Sequence, residues 1–107
     1  MVAFIKSINE SIDDWINDSD YKELIIWYLD SEKQTIASLQ NALEKKDYST
    51  LSYLADMVYG HGGSFGFMFI SNIGKAIELA AKSQDDVQIA ALISKLSDYV
   101  GFLSSVK

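Results

Sequence analysis

The sequence predicts an all-α protein, an antiparallel four-helix bundle in up-down-up-down order with an additional short N-terminal helix. Apolar residues recur at spacings of three and four along five segments, as they do on one face of an amphipathic helix. No segment shows sustained alternation of period two, which would indicate a strand. Proline is absent, which suits long uninterrupted helices. Helices of this kind, joined by short connections, bury their apolar faces most simply in an antiparallel bundle.

The composition indicates one folded domain over residues 1–107. Hydrophobic residues make up 49% of the chain, which argues against a disordered acidic tail. Cysteine is absent, so disulfides, thiolate metal sites and cysteine nucleophiles are excluded. No apolar run is long enough to span a bilayer and no secretory signal is visible, so we expect a cytoplasmic protein without a membrane partner. The net charge of −6 and the scattered lysines argue against nucleic acid as a partner.

A short amphipathic helix is predicted at the N-terminus, over about residues 3–16, ahead of a bundle over about residues 20–105. It stops in the polar run Asn17-Asp18-Ser19-Asp20, because these side chains compete with the backbone for hydrogen bonds. Its apolar positions near helical spacing are Phe4, Ile5, Ile8, Ile12, Trp15 and Ile16.

The first long helix is predicted to begin where Asp20 and Glu23 resemble a capping box. Its apolar face continues as far as Lys46, which gives a helix of about seven turns at 3.6 residues per turn. Trp27 and Tyr28 widen this face, and we expect both rings to pack in the core. The positions that define the face are Ile25, Leu29, Ile36, Leu39 and Leu43.

Three further helices are predicted after the first. Asp47 and Ser49 can cap the second helix, the third ends near Ser83, and Asp85 and Asp86 favour the positive end of the fourth. Their apolar positions are Leu51, Leu54, Ala55 and Val58 in the second helix, Ile70, Ile73, Ile77, Ala80 and Ala81 in the third, and Ile89, Leu92, Ile93, Leu96, Val100 and Leu103 in the fourth.

The most distinctive stretch is residues 54–67, where we expect the helix to give way to four glycines within seven residues. Glycines strip side chains from a patch of backbone, so that another group can come close. Asp56, Tyr59, Gly60 and Gly63 share a face beside the buried stripe. The other interpretation is that the glycines only let neighbouring helices pack tightly.

One ordered set of residues carries a family resemblance. It consists of Leu51, Leu54, Ala55, Asp56, Val58, Tyr59, Gly60, Gly62 to Phe67, Ile70, Ile73, Gly74, Ile77, Glu78, Ala80 and Ala81, with Tyr28, Leu29, Ile36, Leu39, Ala42, Leu43, Asp47 and Tyr48 upstream and Leu96 and Tyr99 downstream. In this order the residues are similar to histidine-containing phosphotransfer (HPt) domains. The resemblance covers about residues 20–103, and its most specific part runs from Gly60 to Phe67.

The resemblance implies a four-helix bundle with an exposed histidine that accepts a phosphoryl group from a receiver-domain aspartate and passes it on. The family motif is His-x-x-Lys-Gly. Here Asp56 stands at the position of the histidine and Tyr59 at that of the lysine, while Gly60 matches. A carboxylate is repelled by phosphoryl oxygens, and a tyrosine hydroxyl supplies no neutralising charge. We therefore expect phosphotransfer by the usual route to be abolished and the chain not to be an enzyme.

The leading hypothesis is a degenerate HPt domain, a signalling module of a two-component phosphorelay that binds a partner without carrying phosphate. The resemblance implies that this partner is a response-regulator receiver domain or a hybrid histidine kinase. The expected partner-binding residues are Asp56, Met57, Tyr59, Gly60 and Gly63. We expect a monomer without a cofactor.

Two alternatives stay open, a phosphocarrier that uses His61 or Asp56 and an interaction module outside two-component signalling. His61 follows Asp56 by five residues, a rotation of about 140° around a helix, and we interpret it as a partly exposed residue at the helix end. No metal site is expected, because the chain has no second histidine and no Glu-x-x-His pair. Asp56 also lacks the partner carboxylate that acid–base catalysis needs.

Overall fold

The computed structural model describes residues 19–106, and the helix predicted over residues 3–16 lies outside the described residues. Within this range the chain forms four helices and no strand, so the prediction of an all-α fold is confirmed there. The helices are α1 (Ser19–Glu44), α2 (Tyr48–Ser64), α3 (Met68–Lys82) and α4 (Asp86–Ser105). The first of them begins one residue before Asp20, the residue expected to cap it.

The four helices form a bundle around one core. Each helix packs against the next one along the chain, and α1 also packs against α4. The contact between α2 and α3 is by far the most extensive of the four. Among the described helices, none is both long enough and apolar enough to cross a membrane.

Among the described residues, the core contains almost every apolar position that the helical spacing predicted. Leu43 and Leu54 are only partly buried, because they lie at the margins of their apolar faces. The prediction for Trp27 is wrong, since 62% of its surface is exposed. Trp27 is rotated about 200° from the buried Ile25 and therefore lies on the outer side of α1. Its neighbour Tyr28 is buried and stacks on Phe65, with 4.3 Å between the ring centroids.

The three connections between helices share one backbone form. Each places one residue in the left-handed region, Lys46 with φ 54°, Gly66 with φ 82° and Gln84 with φ 53°. The N–H of the following residue then donates to a carbonyl five residues back, which is the Schellman pattern of a helix end. These hydrogen bonds run from Asp47 N to Ala42 O (2.9 Å), from Phe67 N to Gly62 O (2.8 Å) and from Asp85 N to Ala80 O (3.0 Å).

The residue that completes each turn also precedes the first residue of the next helix. The side chain of Asp47 accepts a hydrogen bond from Thr50 N, and that of Asp85 accepts one from Gln88 N, each at 3.1 Å. The cap predicted at Asp47 is confirmed, whereas Ser49 lies inside the first turn of α2. At the connection between α2 and α3, Phe67 is the residue that precedes the helix, and its side chain makes no capping hydrogen bond.

The interior of α1 contains an ionisable pair one turn apart, Tyr28 and Glu32, each 2% exposed. Tyr28 Oη and Glu32 Oε2 have no hydrogen-bond partner among the described residues. Burial raises the pKa of Glu32 to about 7, because a low-dielectric surrounding disfavours the charged form. Burial, and then the charge of Glu32, raises the pKa of Tyr28 as well. The folded bundle therefore favours a neutral Glu32.

Replacing Glu32 with Gln should stabilise the protein at alkaline pH. The pKa of Glu32 in the folded state lies above its ordinary value of 4.5. Ionisation of Glu32 therefore does not lower the free energy of unfolding below about pH 4.5, and it lowers it by the full amount above about pH 7. The shift corresponds to about 3 kcal/mol. Urea unfolding should find Glu32→Gln more stable than the unmodified chain by about this amount at pH 8, and by much less at pH 4.5.

The exposed Glu44 on the same helix provides the control, because Glu44→Gln removes the same charge from a solvated position. Equal gains from Glu32→Gln at the two pH values would contradict the assignment of this pH dependence to Glu32.

Candidate functional site

The backbones of α2 and α3 touch at two glycines. A methyl group on Gly74 would lie 2.6 Å from Tyr59 N and 2.9 Å from Ala55 O, and one on Gly62 would lie 2.8 Å from Ser71 N. Ser71 Oγ lies in the same contact and donates a hydrogen bond to Tyr59 O at 2.8 Å. Because no side chain larger than hydrogen fits there, Gly62 and Gly74 allow the close packing of these two helices.

Two other glycines of α2 have no such role among residues 19–106. Gly60 and Gly63 are exposed. A methyl group on Gly60 would meet no described residue within 4 Å, and one on Gly63 would make only an ordinary contact of 3.7 Å with Ser71 Oγ. The packing of the bundle therefore does not require glycine at either position. Of the two interpretations of this stretch, tight helix packing holds at Gly62, and an open backbone surface holds at Gly60 and Gly63.

The helix does not give way at these glycines, so that expectation is wrong. α2 continues to Ser64, and only Gly66, with φ 82°, leaves the helical conformation. The contact of α2 with α3 explains the difference, because tertiary packing supports a helix whose own propensity is low.

The continuous helix determines which of the predicted site residues share a face. Asp56, Gly60 and Gly63 are exposed and follow one another at spacings of four and three residues, so they lie on one face. Tyr59 is 46% exposed and lies on the flank beside α3. Met57 is half-buried, so only part of its side chain is available to another molecule. We use the name glycine face for Asp56, Tyr59, Gly60 and Gly63.

His61 lies away from the glycine face. It is exposed in the last turn of α2. Since the helix continues through this position, the rotation of about 140° from Asp56 applies, and His61 falls on the same side as Met57, four residues earlier. The imidazole and the Asp56 carboxylate therefore do not point in the same direction.

A cation from α3 lies beside the glycine face, and the sequence analysis missed it. Lys75 follows Gly74, and its Nζ lies 5.6 Å from the centre of the Tyr59 ring, within the range of a cation–π interaction. In the sequence, Lys75 is only one of several scattered lysines. The available signal was the pair of small residues on the apolar side of the third helix, Ser71 and Gly74, which brings α3 close to α2.

Lys75 is also paired along its own helix. Its Nζ donates to Glu78 Oε1 at 2.9 Å. The pKa of Lys75 is raised chiefly by this hydrogen bond and the charge of Glu78, with a smaller contribution from Asp56, while the same hydrogen bond lowers the pKa of Glu78. The flank thus presents one positive charge that is paired with Glu78 and is influenced more weakly by Asp56.

The glycine face combines a carboxylate, a ring hydroxyl and bare backbone, and the ammonium group of Lys75 lies at its edge. Among the described residues, no imidazole projects from this face. In the part of the chain that the structure describes, no three His, Cys, Asp or Glu side chains are grouped so that they could hold a metal ion.

Comparison with protein-family models, with curated proteins and with solved structures finds no match to this chain. The likeness to HPt domains therefore depends on the residues described above.

The two kinds of glycine should respond in opposite ways to substitution by alanine. Gly62→Ala should destabilise the protein by about 1–3 kcal/mol, because the new methyl group collides with backbone of α3. Gly60→Ala should stabilise it by about 1 kcal/mol, because alanine is the better helix former and its methyl group enters open space. Urea unfolding of the two variants measures both values. A loss of stability in both would contradict the division of roles between these glycines.

Proposed function

We propose that the chain is a degenerate HPt-like signalling module that binds a response-regulator receiver domain or a histidine kinase without carrying phosphate. In this proposal the four helices alternate in direction, up-down-up-down, and the glycine face is the docking surface. Such a module competes with phosphate-carrying domains for their partners, or sequesters those partners.

The observation that carries the proposal is the exposure of Gly60 and Gly63 on consecutive turns of an intact helix. Each glycine costs a helix about 1 kcal/mol relative to alanine, and no contact among the described residues requires glycine at position 60 or 63. A partner that approaches the backbone closely supplies a reason for both, since a side chain at either position would hold it away.

The loss of phosphate transfer follows from the groups that the docking surface presents. Asp56 is exposed, but it is anionic where a nucleophilic imidazole is needed, and His61 lies on another side of α2. Lys75 offers a positive charge, but its hydrogen bond to the Glu78 carboxylate reduces the attraction that this charge exerts on a phosphoryl group. These features support docking without a phosphoryl acceptor.

Incubation of the chain with phosphorylated receiver domains tests the absence of transfer. We expect no label on this chain, while a binding titration against the same receivers and against kinase domains should detect association. Stable, stoichiometric labelling would contradict the non-carrier proposal, and the stability of the label in acid and in base would identify the acceptor.

The exposure of His61 favours one competing function, a carrier that uses this imidazole. In that case His61→Gln would abolish labelling and Asp56→Asn would not. The opposite result would assign the phosphoryl group to Asp56.

A side chain at position 60 should block docking without disturbing the fold. We expect Gly60→Gln to weaken binding to the partner about tenfold or more, because the side chain occupies the space into which the partner's surface fits. The thermal stability of Gly60→Gln should rise, as we expect for Gly60→Ala. Isothermal titration and thermal unfolding of one preparation measure both quantities.

Gly101 in α4 provides a matched control, since it is exposed inside a helix and a methyl group there would also meet nothing within 4 Å. Gly101→Gln should gain stability and leave the affinity unchanged. Equal affinity of Gly60→Gln and the unmodified chain would exclude the glycine face as the docking surface.

A further inference from the structure

We propose that Lys75 is the residue through which the glycine face recognises an acidic partner, and that it binds a carboxylate side chain of that partner. The inference rests on the proposed function and deepens it by naming the group that determines partner choice. The lysine comes from α3, although the glycine face is otherwise formed by α2.

The position of Lys75 follows from the contact between the two backbones. Gly74 fits against Tyr59 N and Ala55 O, so the next residue emerges at the edge of the glycine face. Its ammonium group lies over the Tyr59 ring, and half of its side chain is accessible to solvent, 51%. A partner seated on Gly60 and Gly63 would therefore meet a cation at its border.

The charges around Lys75 determine which anion suits it. Glu78 accepts a hydrogen bond from the ammonium group, and the charge of Asp56 acts on it more weakly, so one positive charge is under the influence of two negative ones. A phosphoryl group brings nearly two negative charges and is repelled by both carboxylates, whereas a single carboxylate is repelled less. The surroundings thus favour an unphosphorylated partner surface with an exposed Asp or Glu.

Glu78 competes with the partner for the same ammonium group. The hydrogen bond of 2.9 Å between them has to be shared or broken when a second carboxylate binds. Removing the two charges should therefore have opposite effects on binding. If the pair were only a stabilising contact within α3, either substitution would break it and the two effects would have the same sign.

The test is a set of binding titrations with purified receiver and kinase domains from the organism that encodes the chain. Lys75→Gln should lower the affinity about tenfold and reduce its dependence on salt, because a charge-assisted contact is lost. Glu78→Gln should raise the affinity about threefold, because the ammonium group is released. Treating the receiver with beryllium fluoride, which imitates its phosphorylated state, should weaken binding.

Lys33→Gln is the matched control, since it removes the same charge from an exposed lysine of α1 whose Nζ lies 3.9 Å from Asp30 Oδ1. Its affinity should equal that of the unmodified chain. Circular dichroism of each variant establishes that the fold is retained.

The outcomes separate the two proposals. Unchanged binding by Lys75→Gln, weaker binding by Glu78→Gln, or tighter binding to the receiver treated with beryllium fluoride would each overturn the role of Lys75 and leave the docking proposal intact. Failure of the unmodified chain to bind any receiver or kinase domain would overturn the proposed function and this inference with it.

Discussion

The close approach of two helix backbones is the constraint from which the remaining features of the site follow. Gly62 and Gly74 let α2 and α3 touch, and Ser71 joins them through a hydrogen bond to Tyr59 O. This contact holds α2 in helical form through its run of glycines. It also brings Lys75 beside the Tyr59 ring. Stability and the composition of the candidate docking surface therefore depend on the same few small residues.

Glycines that are two residues apart in α2 have unrelated environments. Gly62 is buried against α3, whereas Gly60 faces open solvent, because two steps along a helix rotate a position by about 200°. The interior of the bundle can thus remain unchanged while the exterior of the same turn diverges. In the proposed function, this separation would let a docking surface persist although Asp56 stands where the HPt motif has its histidine.

The sequence predicts the core well, because apolar residues at helical spacing need only one nearby apolar surface, whichever helix supplies it. It misplaces Trp27, since the apolar character of an aromatic ring does not reveal which side of a wide helical face it occupies. It also cannot separate Gly60 from Gly62. The distinction between these glycines depends on which helix packs against each of them. The position of Lys75 beside Tyr59 likewise depends on the register between α2 and α3, which local spacing in the sequence does not reveal.

Each of the three connections contains only three residues. The first continues the hydrogen bonding of the preceding helix, the second takes the left-handed conformation, and the third precedes the following helix, so every connecting residue has a defined backbone role. An insertion would separate the stop signal of one helix from the start signal of the next. Changes to the surface of this bundle are therefore tolerated best on the outward sides of its helices, where residues can be exchanged without altering chain length.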